Sequence, residues 1–131
     1  MAAGGEDLRG RGFLPGQFPL DAFGAGGFRF AEMSHRGSIL ALPSSMRAWN
    51  VASPVDFSAE AFAAVLAEAD RIDILLIGTG VDPAPLSEEL RWMFRDARVG
   101  VDAMTTGAAA RTYNVLIAEN RRVAAALVAV A

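Results

Sequence analysis

Apolar and polar positions along this chain recur with two periods. Early on, Phe28-Arg29-Phe30 alternates apolar with polar, and Ser38 to Leu42 is a short apolar run closed by Pro43. With His35-Arg36-Gly37 between them, these segments predict a β-hairpin or two neighbouring strands. Met46 to Val51 predicts a further short strand around Trp49. The period then becomes helical: Phe62, Val65, Leu66 and Ala69 stand at i, i+3, i+4 and i+7. Ser58 is placed to cap that helix, and Phe57 can staple onto Phe62 across the cap.

Ile72 to Ile77 is apolar on both faces after Asp73, as a central parallel strand would be. A second helix is expected from about Pro85 to Arg98, with Leu86, Leu90, Met93, Phe94 and Ala97 inward and Glu88, Glu89, Arg91, Arg95 and Asp96 in water. Gly100 to Met104 predicts a strand whose tip feeds Thr106, the expected cap of a third helix burying Ala109, Tyr113, Leu116 and Ile117. That helix should stop near Asn120, a residue type that tolerates the left-handed conformation of helix ends. Arg122 to Val130 reads as a last strand. An N-terminal β-hairpin region followed by α-β-α-β-α-β is an α/β domain with an open, mixed, mostly parallel sheet and three helices. Residues 1–17, rich in glycine and without periodicity, are expected to form a flexible tail ahead of a single domain of residues 18–131.

Composition removes most chemistries. The 131 residues suit one domain, and the 53% apolar and 21% charged fractions are those of a folded chain. No Cys is present, which rules out disulfides, thiolate nucleophiles and cysteine metal sites. All twelve basic residues are Arg, so Schiff-base chemistry and the Lys of a phosphate loop are gone. A lone His35 cannot build a multi-histidine metal site within one chain. No cofactor, metal or catalytic residue is therefore expected. The net charge of −3, with arginines scattered except at Arg121-Arg122, argues against nucleic acid. The start of the chain lacks the features of a signal or transit peptide. The longest apolar run, Val123 to Ala131, is far below the ~20 residues of a spanning helix. The expectation is a cytoplasmic protein without a transmembrane segment, for which any peripheral membrane association would run through a partner.

Candidate sites gather at the predicted strand ends. Gly78-Thr79-Gly80 follows the most buried strand, where open α/β sheets bind ligands. A dinucleotide fingerprint would need a third Gly, and Pro83 and Pro85 remove N–H donors from the turn, so a tight exit turn is the preferred reading. Met104-Thr105-Thr106 is expected beside it. With Thr106 capping through the N–H of Ala108 or Ala109, Thr105 is left as a ligand contact. Arg111 follows on the third helix, with Tyr113 and Asn114 beyond. A cation near the positive end of a helix is mildly unfavourable without a negative neighbour, so Arg111 hints at an anion or an acidic partner surface, against the alternative of a surface ion pair. It is expected to turn toward Thr105 and Gly80. His35, Gly37 and Ser38 form a structural motif, His35 tying down the turn before Gly37 through a backbone hydrogen bond. No Gly-x-Ser-x-Gly elbow exists to make Ser34 or Ser38 a nucleophile.

Three segments together resemble a known family. They are Gly27-Phe28-Arg29-Phe30 with His35-x-Gly37-Ser38-Ile39-Leu40; Leu76-Ile77-Gly78-Thr79-Gly80; and the run from Met104 to Leu116 with Glu119-x-Arg121. The family is the small α/β domain found in mitochondrial NADH dehydrogenase (complex I) assembly factor 3, in the adipogenesis-associated domain protein and in many prokaryotic proteins of unassigned function. The resemblance spans about residues 18 to 130. It implies a compact three-layer fold and, for the mitochondrial branch, a role in complex I biogenesis, without an established catalytic residue. Where the family usually has Met-Asp-Thr, this chain has Met104-Thr105-Thr106; where it usually has Ala-Cys-Arg, this chain has Ala109-Ala110-Arg111.

The function expected first is that of a non-catalytic interaction protein assisting assembly of respiratory complex I or another multi-subunit complex, its partners being complex I subunits or another assembly factor. The alternative is a small-anion or small-ligand binding domain, or a cryptic enzyme, using the crevice at the strand ends. An exposed aromatic patch, for which Phe18, Phe23, Trp49 and Trp92 are candidates, would favour the first. A concave polar pocket at the strand ends would favour the second. Oligomeric state is left open by the sequence.

Overall fold

The computed structural model describes residues 13–131, and its core follows the two periods of the sequence. Six strands form the main sheet in the order β1 (Phe13–Pro15), β6 (Ser45–Trp49), β5 (Ser38–Ala41), β9 (Val123–Leu127), β7 (Ile74–Gly78) and β8 (Gly100–Met104). The sheet is mixed, as expected, but parallel pairing is confined to β7 with its neighbours β8 and β9; the other three pairings are antiparallel. Parallel neighbours need a crossover, and only β7, β8 and β9 are separated in sequence by the helices α2 (Glu88–Asp96) and α3 (Thr106–Ala118). The expectation of a mostly parallel sheet is corrected on this point.

A second, three-stranded antiparallel sheet comprises β2 (Ala22–Gly24), β3 (Gly27–Phe30) and β4 (Met33–Arg36). Its turns are Ala25-Gly26 and Ala31-Glu32, and all four residues have positive φ. Two left-handed central residues match the twist of the flanking strands. The expected hairpin around residues 35–37 is thus displaced to Ala31-Glu32. Gly37, at φ +107°, instead carries the chain from the small sheet into the main one. Phe13–Pro15 pairs with β6, so the expected tail is shorter than 17 residues at its inner end; residues 1–12 lie outside the described residues.

Three layers result. Along β9, Val123, Ala125 and Leu127 face one side and pack with Phe28, Phe30, Ala109, Ala110 and Tyr113, from the small sheet and α3. Ala124 and Ala126 face the other side, where Trp49, Phe62, Val65, Leu90 and Phe94 gather beneath α1 (Ala63–Leu66) and α2. The alternation is the period of two expected of a strand buried on both faces. Phe57 does reach Phe62, edge to face at 5.4 Å, and Ser58 Oγ accepts the Ala61 N–H at 3.1 Å. The first helix is nevertheless broken into short 3₁₀ and α turns between Glu60 and Arg71. Glu68 sits outside helical geometry at φ −115°, its carboxylate accepting hydrogen bonds from the Ser44 N–H and hydroxyl. Trp49, expected as a surface aromatic, is buried, its indole N–H donating to the Ala61 carbonyl at 2.7 Å.

Candidate functional site

The two strand-end motifs meet, as the sequence suggests, but they close on each other. Gly80 donates its N–H to Thr106 Oγ1 at 3.0 Å, and Thr106 returns its own N–H to the Gly80 carbonyl at 2.9 Å. The Thr106 hydroxyl donates in turn to the Val128 carbonyl at 2.7 Å, and Val128 N–H reaches the Gly78 carbonyl at 2.9 Å. Thr79 N–H bonds the Met104 carbonyl at 2.8 Å, while its hydroxyl donates to the Asp82 carbonyl at 2.8 Å. A Cβ on Gly78 would lie 2.8 Å from the Thr106 Cα, so glycine is required for this contact rather than for a phosphate. Among the described residues no buried side-chain nitrogen or oxygen lacks a partner. The strand ends therefore form a hydrogen-bonded lock between β7, β9 and α3.

The threonine roles are exchanged relative to expectation. Thr105, extended at ψ 153°, is the N-cap and accepts the Ala108 N–H at 3.3 Å; Thr106 is the first helical residue and is fully buried. Two adjacent threonines are equally good caps by type, and the choice is made by Gly80 and Val128, which are distant in sequence. Tyr113 and Asn114 are also occupied internally. The Tyr113 hydroxyl donates to the Phe18 carbonyl at 2.7 Å, and the Asn114 amide brackets Leu20, accepting its N–H and donating to its carbonyl, each at 2.8 Å. Burial pushes the Tyr113 phenol well above its ordinary pKa, so it is a fixed donor at neutral pH.

The Arg111 guanidinium reaches back over the first turn of α3, where a Cβ on Gly107 would lie 3.3 Å from its Nη2. The residue lies exposed on α3, with its guanidinium carbon 5.9 Å from the centre of the Phe23 ring. Arg111 is in the second helical turn, where the dipole effect has largely decayed, and the negative face of the ring supplies the favourable neighbour. His35 Nε2 is 3.3 Å from the Ser38 carbonyl. Ser38 Oγ donates to the Val51 carbonyl at 2.6 Å and accepts the Ala129 N–H at 2.9 Å, tying three segments together. No three His, Cys, Asp or Glu side chains among the described residues cluster as metal ligands.

The open polar surface lies elsewhere. A groove of about 640 Å³ runs between α2 and the β8 edge, lined by Arg91, Arg95 and Arg98, by Leu86, and by the strand from Gly100 to Ala103. An adjoining depression of about 310 Å³ adds Trp92 and Glu88. Trp92 is 53% exposed, and Arg95 stacks over its ring at 4.8 Å. Phe23 is 37% exposed on the opposite side of the molecule's main sheet, and Phe18 is partly covered. Reading Arg91 and Arg95 simply as solvated positions overlooks a signal present in the sequence. Residues 91 and 95 stand one turn apart on α2, and Arg98, just past the end of that helix, joins them along the groove.

Comparison with known proteins places this geometry. A family model described as "Protein of unknown function (DUF498/DUF598)" matches residues 20–128. The chain belongs to that family. An uncharacterized protein of Rhodobacter capsulatus is 38% identical over 112 residues, covering 86% of this chain and 85% of that protein. NADH dehydrogenase (ubiquinone) 1 alpha subcomplex assembly factor 3 of Mus musculus is 29% identical over 119 residues, covering 88% of this chain and 64% of that protein. This chain thus spans less than two thirds of the length of the assembly factor. A crystal structure titled as an outer membrane protein from Bartonella henselae superposes with a TM-score of 0.86 at 52% identity, covering 89% of this chain and 98% of that one. The family resemblance read from the three sequence segments therefore holds. Among the described residues no helix is long and apolar enough to cross a membrane.

Proposed function

We propose that this chain is a non-catalytic interaction protein that assists assembly of a multi-subunit complex, specifically respiratory complex I in a bacterial cytoplasm. The observation that carries this reading is the contrast between the two polar regions. At the strand ends every buried polar side chain is bonded within the chain. Along α2 and β8, arginines and a half-exposed tryptophan line an open surface. A pocket for a small ligand normally surrounds it with a few convergent polar groups, whereas protein-binding surfaces favour exposed Trp and Arg. The similarity to assembly factor 3 supports the choice of complex. The partners are complex I subunits or another assembly factor.

A strain of the native host lacking this gene tests the proposal. Native gels of its membranes should show less assembled complex I while the subunit transcripts persist. Normal complex I during respiratory growth would overturn the reading.

A further inference from the structure

We propose that the β8 edge and the arginine groove beside it form a strand-addition site for an extended, acidic segment of a partner protein. This inference rests on the interaction-protein reading and names the kind of surface that partner would present.

β8 is the last strand of the main sheet, and its two sides can be assigned. Gly100 N–H donates to the Asp73 carbonyl at 2.9 Å, and the Met104 carbonyl accepts the Thr79 N–H at 2.8 Å, both toward β7. Backbone groups of a strand alternate sides with period two, so the N–H and C=O of Val101 and Ala103 point to the open side. Among the described residues no strand pairs with this side, and such a row of groups is what a peptide uses when it adds a strand to a sheet. The opposite edge is different: among the described residues β1 covers Phe13–Pro15, and Pro15 has no N–H to offer.

Charge selects the occupant. Arg91, Arg95 and Arg98 line the groove, and none of them is ion-paired among the described residues. The acidic lining residue Asp102 is carried by the pleat to the face away from Val101 and Ala103. A chain with net charge −3 thus concentrates unpaired cations on one edge. Arg98 adds a second sign of design. It holds φ +62° just past the C-cap of α2, a position where glycine is favoured because it has no Cβ. Its cation stands in the groove despite that backbone cost. A Pro-free segment with carboxylates on alternate residues would bond to Val101 and Ala103 and present its charges to the arginines, with Trp92 available to apolar neighbours.

The test uses the full chain and a fluorescein-labelled peptide of alternating valine and glutamate, read by fluorescence anisotropy. Binding is expected to weaken with salt and to fall by roughly tenfold or more in Arg91→Glu/Arg95→Glu, since reversed charges repel the peptide. The same peptide N-methylated on alternate amides should not bind, and amide exchange at Val101 and Ala103 should slow when the unmodified peptide is bound. Ala103→Pro removes one outward N–H and should abolish binding; because the double arginine variant alters exposed helix positions only, the test survives if the proline variant fails to fold. Three results would overturn the proposal. One is no binding; another is equal binding of the N-methylated peptide, which would mean ionic contact alone. The third is concentration-dependent self-association that Ala103→Pro abolishes, which would make a second copy the occupant. Loss of complex I in the deletion strain together with any of these would sink the strand-addition site and leave the assembly role standing. Normal complex I would remove the assembly role whatever the peptide does.

Discussion

Replacing Thr106 with valine removes one oxygen and keeps the side-chain shape, which isolates the strand-end lock. Two buried backbone groups lose their partner, the Gly80 N–H and the Val128 carbonyl. An unsatisfied buried group costs about 1–3 kcal/mol, so the variant should lose about 2–6 kcal/mol, a large share of the ~5–15 kcal/mol that stabilises a typical domain. Thr105→Ala removes only the cap bond to Ala108 and should cost ~1 kcal/mol. Thr106→Ser keeps the oxygen and loses one methyl group, for about 1 kcal/mol. Equilibrium urea unfolding, followed by the fluorescence of the buried Trp49, ranks the three. A Thr105→Ala loss equal to or greater than that of Thr106→Val would refute both the exchanged roles and the lock.

Three further outcomes are expected. Arg98→Gly relieves a left-handed arginine and should raise stability by about 0.5–1 kcal/mol in urea melts while weakening the acidic peptide, separating stability from recognition. Tyr113 is the single tyrosine, so phenolate absorbance reports it alone. Its pKa is raised in the folded state, so the stability it contributes is complete below about pH 10 and declines as pH rises beyond that toward the folded value; Tyr113→Phe should lose about 1 kcal/mol near neutrality and flatten that alkaline decline. Deleting residues 122–131 takes β9 from between β5 and β7 and should abolish cooperative unfolding; a truncated chain that melts like the parent would refute the central placement of β9.

Elements whose signal is local were legible in the sequence. The α2 stripe, the β8 limits and the helix end at Asn120, which holds φ +60°, follow from residue type within a few positions. What was not legible depends on distant partners. Nothing near Val123–Leu127 announces that it enters between β5 and β7, since a doubly buried strand reads the same at any interior position. The small sheet was missed because Ala31-Glu32 lacks the Asn-Gly or Asp-Gly chemistry that signals a two-residue turn, and the tertiary packing of Phe28 and Phe30 holds it there. Site residues failed for the same reason. Tyr113 and Asn114 read as polar groups open to a ligand until the segment from Phe18 to Leu20 is laid across them.

The two positions where this chain departs from the family's usual residues can now be weighed physically. At Thr105 the resemblance implies an aspartate in other members, and a carboxylate there invites acid–base or metal readings. The position is the N-cap of a 13-residue helix, for which aspartate and threonine are alternative cap acceptors and a negative charge also complements the dipole. At Ala110 the cysteine that the resemblance implies would sit in a site 2% exposed, packed in the core on the inner face of α3, where a thiol behaves as a small hydrophobe. Both positions therefore have a structural role that either residue can fill. Thr105→Asp should leave stability unchanged or raise it by about 0.5 kcal/mol. Ala110→Cys should present a thiol that a disulfide reagent modifies only as fast as the domain opens. Rapid modification of Cys at position 110 in the native protein would show a reachable thiol beneath α3, and a loss above ~1 kcal/mol in Thr105→Asp would show that the cap accepts no carboxylate. Either result would reopen the strand ends as a site of chemistry in this family.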